Sequence, residues 1–364
     1  MKHPIGYTCL FCLALLTHHL LAQSAPGFII HGAIYGAKDG ATVKLYDLDA
    51  QHTIDSTRIA KGKFILKGKV DQPAVCWLQC ENEYATIMVE NLPMIFESPL
   101  KNMFLEHKAK SGKEQALISE MERRQYPYNK RYLSAFDSLM HDLYSSDADK
   151  SRLKEVFESS QDSSMKIYVE FGKQHANSYY GQDIIYRNRK SIPHDTLDRL
   201  YKAMPLTLKT SQKGQGLKVF LYSELAQKGK PMIDFEVRTI GGRPFKLSSL
   251  KGKYIYLTFG SAGCGPCRME NKALAASYSK LQPDIEIVTF SLDRHLTDWE
   301  KMTREDKISW YNVSDMKGDG EVKNLYNVQS IPVAFLIDRK GIIIERYDGY
   351  SENLVHDIEE KIKQ

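Results

Sequence analysis

The sequence Phe259-Gly-Ser-Ala-Gly-Cys264-Gly-Pro-Cys267-Arg-Met-Glu-Asn271 decides how the C-terminal third of the chain is interpreted. The apolar, β-branched and aromatic run from Tyr254 to Phe259 predicts a buried strand, and the segment from Lys272 to Leu281 predicts a helix. Cys264 would then stand at the amino end of the helix, where free backbone N–H groups and the helix dipole favour a thiolate. The Cys-x-x-Cys spacing alone is compatible with a redox centre, a structural clip or half of a zinc site.

Length and composition indicate a multidomain globular protein. With 364 residues the chain is too long for one typical core, so two or three domains are expected. Apolar residues make up 42% and charged residues 26% of the sequence. The net charge of +5 is modest and its basic residues are scattered, so nucleic acid is not expected as a partner.

The amino terminus has the pattern of an export signal, which we assign to residues 1–25. A short basic start is followed by an apolar core from Ile5 to Leu16, which is too short to span a membrane. Small residues allow cleavage after Ala22 or Ala25. The sequence therefore predicts an exported, periplasmic protein, and an uncleaved signal that anchors it to the membrane is the alternative.

Export changes how the six cysteines are interpreted, because disulfides persist outside the cytoplasm. Cys9 and Cys12 lie in the predicted signal and would be lost with it. Cys76 and Cys80 fall in one predicted strand, where an extended chain would separate their Cα atoms by about 13 Å. A disulfide needs less than about 7 Å, so we expect buried free thiols, with a disulfide across a turn as the alternative.

The pattern of the chain changes twice after the signal. Residues 26–105 contain short alternating strands separated by Gly and Asp turns, which predict an antiparallel β-sandwich domain. Residues 106–228 form a helical region or linker, with helices predicted at Ser111–Arg124, Arg131–Tyr144, Ser151–His175 and Thr196–Met204 and surface loops at Lys209–Gly216 and Gln227–Pro231.

Residues 229–364 alternate strands with helices and close with the hairpin Val333–Ile337 and Ile342–Arg346, followed by a helix. This order predicts an α/β domain with a mixed central sheet and helices on both faces.

The dithiol with its strand, together with Ser330-Ile-Pro332-Val-Ala-Phe-Leu-Ile-Asp338, resembles the thioredoxin fold. More closely, the domain resembles the exported TlpA/ResA-like thiol–disulfide oxidoreductases. The segments that match the sequence pattern of this subfamily are Lys246–Lys253 and Cys267-Arg-Met-Glu-Asn271. The β-rich amino region is similar to the domain that often precedes such modules in Gram-negative exported proteins.

The resemblance implies a thioredoxin-like enzyme without a cofactor, in which Cys264 and Cys267 form a redox-active disulfide. Cys264 would be the exposed nucleophile and Cys267 the resolving thiol. Pro332 matches the cis-proline that faces the dithiol, and Ile331 would pair its backbone with a substrate polypeptide. The implied partners are disulfide-containing exported proteins and a membrane thiol-reductant donor, and the Gly-Pro dipeptide favours a reductase.

Two glycines depart from the pattern of the family at the rim of the site. Gly263 stands where a tryptophan commonly precedes the first cysteine, and Gly260-Ser261 replaces the upstream Trp-Ala. A flatter and more mobile rim is therefore expected, with a different substrate preference.

The proton-transfer group also departs from thioredoxin, because Thr258 stands where thioredoxin has a buried aspartate. Thr258 cannot titrate, so another base is required. Glu236 and Glu270 are near in sequence, and both are expected to lie on the surface and contribute to solubility. The alternative is that Glu236 acts as the base. In the subfamily that the domain resembles, a glutamate from the preceding hairpin is the alternative base, and Arg238 occupies the comparable position here. If it lies near the site, its positive charge would lower the pKa of Cys264.

Two other functions are compatible with the motif. A peroxiredoxin-like peroxidase would use the hydroxyl of Ser261, three residues before Cys264, but its proline-rich loop is missing and Cys267 does not fit. A binding or scaffold module would carry a structural dithiol, or a zinc site for which His295 and His356 are too isolated.

Overall fold

The computed structural model describes residues 27–282 and 284–363. The predicted signal at residues 1–25, with Cys9 and Cys12, lies outside the described residues. Within the two ranges, no helix combines the length and apolarity needed to cross a membrane.

The amino-terminal unit consists of two four-stranded sheets packed face to face. Its strands are β1 (Phe28–Tyr35), β2 (Thr42–Asp47), β3 (His52–Arg58), β4 (Lys63–Gly68), β5 (Ala74–Cys80), β6 (Glu83–Val89), β7 (Pro93–Pro99) and β8 (Lys108–Lys110). The sheet orders are β4-β1-β7-β8 and β3-β2-β5-β6, and every pair is antiparallel except β1 with β7. Side chains alternate between buried and open along β1, so the inner faces of both sheets form one core.

Cys76 and Cys80 both lie on β5 and are buried and unbonded. The expectation of buried free thiols is confirmed. Burial raises the pKa of the Cys76 thiol well above its usual range, so this sulfur is an inert core atom.

The middle of the chain is helical, and a short helix also precedes β8. The helices are α1 (Met103–Glu106), α2 (Lys113–Met140), α3 (Asp147–Gln174), α4 (Tyr179–Arg187), α5 (His194–Ala203), α6 (Leu206–Thr210) and α7 (Gln212–Tyr222). The long helices α2 and α3 pack together, and α2, α3 and α4 cover Val75 and Met88 on the outer face of the β3-β2-β5-β6 sheet.

The structure differs from the sequence predictions at three places in this region. The predicted helices Ser111–Arg124 and Arg131–Tyr144 form one helix, α2, which continues through Pro127. The segment Lys209–Gly216, predicted to be a loop, contributes to α6 and α7. Helix α4 was not predicted, although seven of its nine residues are buried.

The C-terminal unit has one seven-stranded mixed sheet of order β10-β9-β13-β12-β11-β14-β15. Its elements are β9 (Glu236–Thr239), β10 (Pro244–Lys246), β11 (Tyr254–Gly260), α8 (Gly265–Leu281), β12 (Ile285–Ser291), α9 (Leu296–Glu305), β13 (Tyr311–Ser314), α10 (Glu321–Leu325), β14 (Val333–Ile337), β15 (Ile343–Asp348) and α11 (Leu354–Ile362). Separate apolar cores lie on the two faces of the sheet, as the α/β pattern predicts. Helices α8 and α11 cover one face.

Candidate active site

The dithiol lies where the central strand β11 ends and helix α8 begins. Cys264 is the N-cap of α8 and is half-buried, whereas Cys267 in the first turn is only 2% exposed. The two sulfurs are joined in a disulfide, with Cα atoms 5.3 Å apart. Only Cys264 is therefore open to attack or be attacked by a molecule from outside.

The amino end of α8 stabilises negative charge on Cys264. The backbone N–H of Cys267 donates to Cys264 Sγ across 3.1 Å, and the helix dipole has its positive end at this sulfur. Pro266 occupies the first turn, where no N–H partner is needed. In the reduced protein these groups favour the thiolate of Cys264, which is the nucleophilic form.

The loop before β14 faces the dithiol. The Ile331–Pro332 peptide bond is cis, and the carbonyl oxygen of Ile331 lies 3.7 Å from Cys264 Sγ. This position follows from the sheet, since β14 runs antiparallel to β11 and pairs Val333 with Phe259. Sequence reasoning placed Ile331 and Pro332 opposite the cysteines, and the structure brings these residues together.

Gly260 allows Cys267 to approach the end of β11. A Cβ atom on Gly260 would lie 3.2 Å from the Cβ and 3.5 Å from the Sγ of Cys267. Gly263 has no atom within 4 Å of its Cβ position and is exposed. The glycine at 260 is therefore explained by close packing, and only the glycine at 263 contributes to an open rim.

Glu270 is the titratable group beside the dithiol, and the expectation that it lies on the surface was wrong. Its side chain is 2% exposed and lies between α8 and β11. The Tyr256 hydroxyl donates to Glu270 Oε1 across 3.2 Å, and the Thr258 hydroxyl is also close enough to affect this carboxylate. Burial raises the pKa of Glu270 to about 7, although both hydroxyl groups act in the opposite direction.

Glu270 could have been found from its spacing. It follows Cys267 by three residues on α8, so the two side chains share one helix face. Thr258 and Gly260 alternate along β11 with Leu257 and Phe259, which pack into the core on the other face of the sheet, so Thr258 and Gly260 face the same way. Thr258 carries no carboxylate, and Glu270 on the helix that packs over β11 supplies one at the same place.

Arg238 does not lie near the dithiol. Strand β9, which carries it, is separated from β11 by β13 and β12, a distance of about 14 Å across the sheet. Its guanidinium donates to the Gly242 carbonyl within the hairpin. The same hairpin carries Glu236, which is exposed and paired with Lys246. Neither side chain acts on the cysteines from this place.

Two buried aspartates that the sequence did not reveal fix the cysteine loop. Asp293 accepts from the Ala262 backbone N–H across 3.0 Å and from the Ser291 hydroxyl across 2.8 Å. Asp306, at the end of α9, accepts from Arg268 in the first turn of α8. Both lie more than 25 residues after the dithiol, so no local pattern connects them with it.

Comparisons with known proteins agree with this geometry. Residues 228–346 match the model of the AhpC/TSA family, and residues 28–117 match a domain of unknown function, DUF4369. ResA, a thiol–disulfide oxidoreductase of Bacillus subtilis, is 27% identical over 147 residues, which cover 40% of this chain and 81% of ResA. ResA of Bacillus thuringiensis is 28% identical over 146 residues, covering 40% of this chain and 82% of its own.

Among solved structures, the thioredoxin domain of a thiol–disulfide oxidoreductase from Bacteroides vulgatus is 28% identical, with a TM-score of 0.36. The alignment covers 38% of this chain and 99% of that domain. The dithiol at a helix amino terminus, the facing Ile331–Pro332 loop and the similarity to ResA lead to one conclusion. The C-terminal unit is a thioredoxin-like domain, and the chain is a ResA-like thiol–disulfide oxidoreductase.

Proposed function

We propose that the protein is exported to the periplasm and reduces disulfides of other exported proteins through Cys264 and Cys267. The observation that carries this proposal is the asymmetry of the dithiol: Cys264 is half-buried at the helix terminus, and Cys267 is covered. An accessible nucleophile with a protected partner suits exchange through a mixed disulfide. The export signal and the Gly-Pro dipeptide of the sequence support the location and the direction.

In the proposed reaction the Cys264 thiolate attacks one sulfur of the substrate disulfide and releases the other as a thiolate. Cys267 then loses its proton and attacks Cys264 Sγ, which frees the first substrate sulfur. The substrate gains two electrons and the protein keeps the Cys264–Cys267 disulfide. A membrane dithiol donor would reduce this disulfide again and close the cycle.

Glu270 is suited to take the proton from Cys267. The two residues are neighbours on α8, with about 5–6 Å between Cβ atoms at this spacing. A carboxyl group whose pKa is about 7 can accept and return a proton near neutral pH. We expect Glu270→Gln to slow the attack of Cys267 about a hundredfold at neutral pH and to leave the alkylation of Cys264 unchanged. Glu236→Gln, on the distant hairpin, is the matched control.

Reduction of insulin with dithiothreitol as electron source tests the reaction. Wild type should accelerate precipitation, Cys264→Ser should be inactive, and Cys267→Ser should accumulate mixed disulfides that identify the partners. A reduction potential above about −150 mV would instead indicate an oxidant. Turnover of hydrogen peroxide in place of insulin would support the peroxidase alternative.

A further inference from the structure

A cavity of about 270 Å³ lies where the three units meet, beside the active site. It is lined from the β2–β3 turn by Asp49 and Gln51, from the end of α4 by Tyr186 and Arg189, and from the loop before β14 by Gln329 and Ile331. Ile331 is the residue whose carbonyl lies 3.7 Å from Cys264 Sγ. The cavity therefore begins at the backbone that faces the reactive sulfur.

Arg189 is an almost completely buried cation in the wall of this cavity, only 2% exposed. Its Nη1 donates to the Tyr186 carbonyl across 2.7 Å, and the guanidinium stacks 4.3 Å from the centre of the Tyr186 ring. Its Nε and Nη2 have no hydrogen-bond partner among the described residues, and no carboxylate there forms an ion pair with it. Burial lowers the pKa of Arg189, since an unpaired charge is disfavoured inside a protein.

The neighbouring charges balance one another and leave Arg189 in excess. Three aspartates and three cations lie at this junction in a six-charge cluster, which consists of Asp49, Asp183, Asp319, Arg187, Lys213 and Lys323. Its ion pairs join the amino-terminal unit to the helices, and the Lys323–Asp319 pair of the C-terminal unit interacts with them through space. Arg187 lies 2.8 Å from both Asp49 and Asp183, and Lys213 lies 2.6 Å from Asp183. Lys323 pairs with Asp319. With three charges of each sign the cluster is neutral, and although the charge of Asp319 acts on Arg189 through space, none of the three carboxylates forms an ion pair with the guanidinium.

The unpaired donors match a carboxylate. Nε and Nη2 lie on one edge of a guanidinium, and their parallel N–H groups fit the two oxygens of a carboxylate. Gln329 adds another buried donor, because its Nε2 also lacks a partner in the described part of the chain. An anion that accepts from both side chains would satisfy three N–H groups and neutralise the excess charge.

We propose that Arg189 and Gln329 bind a carboxylate of the disulfide substrate, so that the protein prefers substrates with an acidic residue near the reactive cysteine. This inference rests on the proposed function and adds the class of substrate to it. The cavity starts at Ile331, so the acidic residue should lie within a few positions of the cysteine. A free carboxylic acid could satisfy the same donors, and the experiment separates the two sources.

The test uses the reduced full-length protein and pairs of peptides that carry one cysteine as a 2-pyridyl disulfide. Members of a pair differ only by Glu or Gln, placed one to three residues before or after the cysteine. Release of 2-thiopyridone gives the rate. At least one Glu peptide should react about tenfold faster than its Gln partner, because a charge-assisted bidentate pair is gained. Arg189→Met should remove this difference, and exposed Arg199→Met should keep it.

Two further measurements keep the inference testable if Arg189→Met does not fold. Gln329→Leu should reduce the preference for Glu in a protein with intact Arg189. A peptide with Ser in place of Cys should raise the melting temperature of the oxidised wild type more in its Glu form than in its Gln form. Sodium acetate that stabilises the protein as strongly as this Glu peptide would overturn substrate recognition and leave a free-anion site.

Failure of the inference differs from failure of the proposed function. If wild type reduces insulin but reacts equally with the Glu and Gln peptides, the carboxylate site is wrong and the reductase proposal stands. If wild type reduces neither insulin nor the pyridyl peptides, the proposed function fails. The binding of the Ser peptides then decides about the carboxylate site without any redox step.

Discussion

Glu270 shows how one buried side chain couples stability to pH. Its pKa in the folded protein is about 7, compared with an ordinary value of 4.5. The folded state therefore binds a proton more tightly than the unfolded state between these values. It follows that the stability which protonation provides is complete below pH 4.5 and is lost as pH rises through 7.

We expect the free energy of unfolding of the oxidised wild type to fall by about 3 kcal/mol relative to Glu270→Gln between pH 4.5 and pH 8. Glutamine resembles the protonated carboxyl in shape and cannot lose a proton, so its side chain adds no such slope. Urea unfolding of both proteins at several pH values measures the difference. Parallel pH profiles would contradict a raised pKa of Glu270.

Gly260 and Gly263, which both precede the dithiol, allow the same substitution to be compared at a packed and at an open position. A methyl group at 260 meets the side chain of Cys267 at 3.2 Å, whereas a methyl group at 263 meets no atom within 4 Å. Gly260→Ala should therefore lower the unfolding free energy of the oxidised protein by about 1–2 kcal/mol. Gly263→Ala should leave it unchanged or raise it by up to about 1 kcal/mol. Equal effects in urea unfolding would exclude close packing as the reason for Gly260.

The residues of the site differ in how far the sequence reveals them. Cys264, Cys267 and Pro332 belong to short motifs whose chemistry depends on local spacing, and the structure brings them together. Glu270 was within the same stretch but was assigned to the surface, because one charged residue in a helix is usually exposed. Its spacing from Cys267 places it on the face of α8 that carries the resolving thiol, and contacts with Tyr256 and Thr258 complete its burial.

At the scale of elements, an ion pair aligns the helix that carries the cysteines with its neighbour. Arg268 in the first turn of α8 donates to Asp306 at the end of α9, and the Asp306 side chain is fully buried. Asn271 also donates to Asp306 across 3.1 Å. These bonds hold the amino end of α8 against the C-terminal end of α9.

Arg268→Met should destabilise the protein by about 2 kcal/mol, because it leaves the buried Asp306 with one donor. It should also alter the reactivity of Cys264, because the position of the helix end determines where the backbone N–H groups lie relative to Cys264 Sγ. Urea unfolding and the rate of iodoacetamide alkylation measure the two effects. Glu305→Gln removes only the exposed partner of Arg268, and this control should change neither quantity.

Helices α6 and α7 show why element boundaries were harder to predict than the site. The segment Lys209–Gly216 contains two glycines and several polar residues, which usually indicate a loop. In the structure Ser211 caps α7 by accepting from the Gly214 N–H across 3.1 Å. A Cβ on Gly214 would lie 2.0 Å from the Leu208 carbonyl oxygen. The glycine therefore serves close packing between helices, which depends on tertiary contacts.

At the scale of the whole molecule, the six-charge cluster lies where the three units meet, and its ion pairs join the amino-terminal unit to the helices. Arg187 and Asp49 are 138 residues apart in the chain, so no sequence pattern predicts their contact. Although burial alone would raise the pKa of Asp183, Lys213 and Arg187 hold it below its usual range. Lys323 acts in the same way on Asp319 and lowers its pKa to about 2. Asp319 thus contributes stability above pH 4, and this contribution is lost as pH falls through 2.

Asp183 is the aspartate whose removal should loosen this assembly most, because it is 2% exposed and contacts both Arg187 and Lys213. Asp183→Asn leaves the exposed Arg187 and the half-buried Lys213 with Asp49 alone, which should cost about 1.4 kcal/mol, or roughly tenfold in the opening equilibrium between the units. Hydrogen exchange at pH 7 should accelerate in the β2–β3 turn and in α7, whereas the centre of β11 should keep its protection.

The exposed aspartate of α5 provides the control, since Asp195→Asn should leave all exchange rates unchanged. Exchange in Asp183→Asn that equals that of the control would show that apolar packing, and not the charge cluster, holds the units together. Loss of protection throughout β11 would show that the three units unfold as one. Selective loss at the junction would mean that the cluster positions Arg189 and Ile331 relative to each other, and substrate selection by the peptide pairs should then weaken in the same variant.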